Sequence, residues 1–135
     1  MNPNVAAVAR ACNEGTENNT LSFPAQLGRL AEAGIEGYYV DFRQGVRIFH
    51  LPDGSALELP AHKVDANIAA AFTPAGVEAA VRRAQAGGAD YTYQGFCLEA
   101  MASGCAGYVV SLPGRRVVYF GRTAETHVEH FPPAP

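Results

Sequence analysis

The chain has 135 residues, of which 48% are hydrophobic and 17% charged, and its formal net charge is −3. That composition belongs to a globular protein long enough to bury a core, and it excludes a disordered chain. Lys63 is the only lysine and arginines adjoin only at Arg82-Arg83 and Arg115-Arg116, so no basic face is offered to a nucleic acid.

Asn2-Pro3 places a capping side chain before a proline suited to a first helical turn. Val5, Val8 and Cys12 then recur at helical spacing, which predicts a helix from residue 3 to about 14. Residues 15–22 (GTENNTLS) are polar and read as a loop. Ser22-Phe23-Pro24 opens a second helix with Leu27, Leu30 and Ala31 on one face, and Gly34 stands where a left-handed residue ends a helix. Three strands are expected next, at 37–42, 46–51 and 55–59, joined by turns at Arg43-Gln44-Gly45 and Pro52-Asp53-Gly54. Residues 61–72 form a bridge, either a loop or a short helix, apolar enough to pack.

Thr73 is expected to cap a third helix, with Pro74 in its first turn and Val77, Ala80, Val81 and Ala84 as its buried stripe. Gly87-Gly88 stop it, and Arg82 and Arg83 suit the negative end of its dipole. A fourth helix over 93–103 buries Phe96, Cys97, Ala100 and Met101, and Gly104 closes it. Strands at 107–112, 116–120 and about 125–131 follow, with turns at Pro113-Gly114 and Gly121-Arg122, and the proline-rich tail 132–135 is expected to fray.

One pattern occurs twice. AGIEGYYVDF (33–42) and SGCAGYVVSL (103–112) agree at Gly34/Gly104, Gly37/Gly107, Tyr38/Tyr108 and Val40/Val110, seventy residues apart. The fold class expected is therefore α+β: an internal duplication of a helix-helix-three-strand unit, with antiparallel sheet or sheets packed against about four helices. A single domain, 1–135, would hold repeat units at about 1–60 and 73–132 with the bridge 61–72 between them. Such units cannot cover themselves, so they share one core, with the helices on one face of a sheet or between two sheets.

No apolar run reaches the ~20 residues of a membrane span. The opening residues lack the basic-then-apolar order of a secretion signal. Cys12, Cys97 and Cys105 are odd in number and have no CxxC spacing, which fits reduced thiols and a cytoplasmic location.

Phe96, Cys97, Ala100, Gly104, Tyr108 and Val110, with the following hairpin and the Glu129–Pro132 ending, resemble a bacterial domain-of-unknown-function family. Its members are often labelled phage envelope protein. The resemblance spans nearly the whole chain and implies a fold rather than an activity. Ser111 departs from the pattern, because the first copy has Asp41 there, so a function needing a carboxylate in both copies is not implied.

Each candidate for chemistry has a plainer alternative. Cys97 sits early in its helix but has no adjacent histidine, and free cysteines are mostly core residues. On the last strand Glu125, His127 and Glu129 share a face, an arrangement that can bind a metal or move protons. Charged residues also guard sheet edges, and a solvated edge is the favoured reading there. If a metal bound, His50 and Glu58 would complete the set with His127 and Glu129, although none is expected. Asp41, unusual in a strand, is read as a structural hydrogen-bond acceptor that also has access to a cleft. Tyr38, Tyr39, Tyr108 and Tyr119 line a pocket or simply pack. No GxGxxG, GxxxxGK, GxSxG or HExxH occurs.

These features favour a non-catalytic module that binds a small ligand or a protein, or assembles as a homodimer, with no cofactor, nucleic acid or membrane. The alternative is a small enzyme or metal-binding protein using His127, Glu129, His50 and Asp41.

Overall fold

The computed structural model describes residues 1–61 and 63–132. Two helices, α1 (Pro3–Glu17) and α2 (Phe23–Glu32), precede three strands, β1 (Gly37–Asp41), β2 (Val46–His50) and β3 (Ala56–Pro60). The order then repeats: α3 (Pro74–Ala86), α4 (Tyr93–Ala102), β4 (Cys105–Ser111), β5 (Arg116–Gly121) and β6 (Thr126–His130). The chain is thus α+β. Among the described residues, no helix is long and apolar enough to cross a membrane.

Capping explains where the helices start. The side chains of Asn2, Ser22 and Thr92 accept from the backbone N–H groups of Asn4, Ala25 and Gly95, satisfying donors that a first turn leaves open. Thr73 holds the cap position of α3 but makes no such bond, contrary to expectation. Its own N–H is drawn to the Ser103 carbonyl, 2.8 Å away, at the end of α4. Its methyl group lies toward Gly76 in the first turn. Helix α1 also runs on through Gly15 to Glu17, because the chain doubles back and Thr20 and Leu21 both donate to the Gly15 carbonyl.

Gly34 and Gly104 both have positive φ, 82° and 88°, as expected of residues that end a helix with a left-handed turn. The bridge has neither helix nor strand among its described residues. It nevertheless packs, with Phe72 buried and Val64 and Ile68 against the core.

All six strands form one antiparallel sheet in the order β3-β2-β1-β4-β5-β6. Each set of three is a meander, and β1 joins β4 at the centre with Tyr39 opposite Val109. Strand register assigns the faces, since alternate residues point to opposite sides. One row reads Leu59, Arg47, Val40, Tyr108, Tyr119, His127, and the parallel row reads Leu57, Phe49, Tyr38, Val110, Val117, Glu129. Each helix reaches this face: α1 through Asn13 to Arg47, α2 through Gln26 to Tyr38, α4 through Tyr93 to Tyr108, and α3 through Arg82 to Glu129. The helices therefore lie on one side of a single sheet, and the alternative with helices between two sheets does not form.

Candidate functional site

A polar compartment lies in the middle of the helix–sheet interface. Arg47, on the helix-side face of β2, is fully buried. Its Nη1 donates to Asn13 Oδ1 at 2.6 Å and to Glu17 Oε1 at 3.0 Å. Its guanidinium carbon stands 5.3 Å from the ring centre of Tyr93 and 6.0 Å from that of Tyr38, within cation–π range. The hydroxyls of Tyr93 and Tyr108 are 2.7 Å apart, and the Tyr38 hydroxyl donates to the buried Gln26 amide oxygen at 3.3 Å.

Burial opposes a charge on Arg47, but the ring faces of Tyr93 and Tyr38 and the Glu17 carboxylate offset it, and the guanidinium stays protonated. Burial also pushes the Tyr38, Tyr93 and Tyr108 phenols up, so they are neutral hydrogen-bond partners at neutral pH.

Tyr38, Tyr108 and Tyr119 share this face, and their rings form a run with centroids 6.2 Å and 5.5 Å apart. Cys97 is buried beneath them. Desolvation pushes its thiol up to about 12, which leaves almost no thiolate for nucleophilic attack. Cys12 and Cys105 are likewise free and buried.

Asp41 ends β1 and acts as a turn acceptor. Its Oδ1 takes the N–H groups of Arg43 (2.8 Å) and Gln44 (3.2 Å), and its Oδ2 takes the Tyr39 hydroxyl and the Gln44 side chain (both 3.0 Å). Burial would raise this carboxyl, but the two backbone donors and the phenol more than offset it and hold it below its ordinary value.

The strand order separates the other candidates. His127 and Glu129 lie on β6, at the opposite end of the sheet from β2 and β3, which carry His50 and Glu58. The faces differ too. His127 and Glu129 point toward the helices, whereas His50 and Glu58 pair with Ala56 and Ile48 on the other side. The four do not meet. Among the described residues no group of three or more His, Cys, Asp or Glu side chains is placed to hold a metal ion.

β6 is an edge strand, yet its His127 and Glu129 side chains are not the solvated guard anticipated, being only 19% and 13% exposed. Their Nε2 and Oε1 are 2.8 Å apart, Glu129 also accepts from Arg82 at 3.1 Å, and the His127 ring leans on Tyr119. α3 covers this edge and gives the carboxylate a cation. Glu125 is exposed and accepts from Thr123 instead.

The second surface of note is the sheet face away from the helices. Its central row reads Glu58, Ile48, Tyr39, Val109, Val118, Val128, and Phe120 stacks on Tyr39 with ring centres 5.9 Å apart and planes nearly parallel. Gly107 makes room for that stack, because a Cβ there would come within 2.8 Å of the Phe120 ring. Val109 and Val128 are each 40% exposed. The helix-to-sheet hydrogen bonds given above all fall on the other face.

Sequence reasoning overlooked Arg47, Tyr93, Asn13, Glu17 and Gln26. It also overlooked the valines of the bare face. A signal for Arg47 existed: the seventy-residue offset aligns it with Val117, an inward position of β5.

A family described as "Protein of unknown function (DUF1398)" matches residues 13–129. No curated protein matches the chain.

Proposed function

The chain belongs to the DUF1398 family, proteins of unknown function, and from that premise we propose that it is a non-catalytic assembly module pairing with a second copy of itself. The bare sheet face carries the reading. A row of Ile48, Tyr39, Val109, Val118 and Val128 across five adjacent strands is a contiguous apolar strip of the kind that marks an interface.

Its size suits a weak homodimer. Six strands at about 4.8 Å spacing and five residues at about 3.3 Å give roughly 24 by 17 Å, so face-to-face pairing removes about 800 Å² from water before side-chain relief is counted. That is below the about 1,200 Å² of a stable specific interface and implies a weak, concentration-dependent dimer. Charge supports it as well. Glu58 lies on the β3 edge, and Arg116 lies on β5 toward the other edge. A two-fold axis along the strands lays β3 of one copy over β6 of the other and brings these opposite charges toward each other.

The groups suited to catalysis are engaged in structure: Asp41 by its turn, Glu129 by Arg82 and His127, and Cys97 by burial. We read residues 1–135 as one domain built from two copies, about 1–60 and 73–132. The repeated element order and the matched positive φ of Gly34 and Gly104 favour that duplication. Three free, buried cysteines fit a reducing cytoplasm.

The test is the mass in solution of Val109→Glu beside the wild type, measured by light scattering after gel filtration. The proposal expects a dimeric wild type and a monomeric variant with an unchanged far-UV circular dichroism spectrum. Equal masses for the two proteins would refute it.

A further inference from the structure

Buried polar atoms without a partner are rare in folded proteins, and each one calls for a reason. Among the described residues they are Thr16 Oγ1, Gln26 Nε2, and Arg47 Nε and Nη2. Thr16 is on α1, Gln26 on α2 and Arg47 on β2, so all of them belong to the sector where the first helix pair sits on the sheet. The second pair, α3 and α4, has none among the described residues. Each such atom gives up water when the helices seat and gains no partner, and the charged donors of Arg47 lose most.

The other polar ties of this sector lie at its rim. Asn13 Nδ2 donates to the Pro60 carbonyl and Gln94 Nε2 to the Glu17 carbonyl. Asn19 Nδ2 donates to Gln94 Oε1, and the Tyr93 N–H donates to Asn19 Oδ1. These bonds are exposed or half-buried, so water replaces them when the contact parts. The joints to the sheet differ in the same sense. Gly34, between α2 and β1, is exposed with open space about its left-handed backbone. Gly104, its counterpart between α4 and β4, is buried against Ala71 and Phe72 of the bridge. A residue at the end of an element, free to change its dihedral angles, is what a hinge requires.

We propose that α1 and α2 form a strap that lifts from the sheet as a unit about Gly34, while α3, α4 and the sheet stay folded. Seated, the strap buries Ala9, Cys12 and Leu30 completely, which keeps the lifted form a minor one. Lifted, Thr16 and Gln26 regain water, and the sheet face around Tyr38 and Phe49 is uncovered where the strap had lain. The strap is on the helix side of the sheet and independent of the bare face, so either reading can fail without the other.

Three buried, free cysteines report on this motion: Cys12 on α1, Cys97 on α4 and Cys105 on β4. The experiment labels the native full chain with excess thiol reagent and follows each cysteine by mass spectrometry of its peptide. Each rate is divided by the rate of the same cysteine in urea-unfolded protein. Cys12 then reacts at least about tenfold faster than Cys97 and Cys105, because it is reached without global unfolding. Equal rates at the three cysteines overturn the proposal. Thr16→Val keeps the side chain's shape and removes one unpartnered hydroxyl, so Cys12 slows by about fivefold or more. A Cys12 rate that this variant leaves unchanged or raises also overturns the proposal.

Discussion

At Asp41, one carboxylate organises a turn by accepting from two backbone N–H groups and two side chains. Asp41→Ala removes these acceptors and leaves the donors to find others, at a cost of about 2 kcal/mol in urea unfolding at pH 7. Because its folded pKa is depressed, the stability it contributes is complete above the unfolded value of about 3.9 and is lost as pH falls through the folded value. The gap between wild type and Asp41→Asn is therefore wide at pH 7 and closes toward pH 3. The cysteines make a second prediction. With Cys97 near 12 and Cys105 near 11, only about one Cys97 in ten thousand is thiolate at pH 8. A thiol reagent then labels the native protein at these two positions only as it unfolds, and rapid labelling without unfolding would count against the burial described.

At the scale of elements, the periodic signals are legible in the sequence and the contacts between elements are not. Helix α4 was legible to within a residue, with Phe96, Cys97, Ala100 and Met101 buried as their spacing implied. The strand Val46–His50 was legible too, but not its faces. Val46 and Ile48 are apolar on one side and Phe49 on the other, so local alternation could not show that Arg47 turns inward. Tyr93 meets Arg47 from a segment far along the chain, and no local pattern encodes that meeting. The end of α1 is not legible locally, because Gly15 looks like a helix stop until Leu21 folds back over it. The two helix-stop glycines offer a measurable contrast. Gly34→Ala meets open space and costs only its left-handed strain, about 1 kcal/mol. A Cβ on Gly104 would strike the Ala71 carbonyl and come 2.7 Å from Phe72 Cα, so Gly104→Ala costs about 3 kcal/mol. Equal melting temperatures for the two variants would contradict this packing of the bridge.

For the whole molecule, the decisive fact is asymmetry between the two sides of one sheet. Four helices cover a face holding Arg47 and the tyrosine run, and the opposite face is left with its valines in view. Composition could not reveal this, since the same residues would serve a sheet covered on both sides; only the strand order and register show which row is bare. Sedimentation equilibrium of the wild-type chain across the micromolar range tests the central claim most directly. The account predicts a reversible approach to twice the 14.3 kDa chain mass as concentration rises, and a mass that stays at one chain throughout would contradict it.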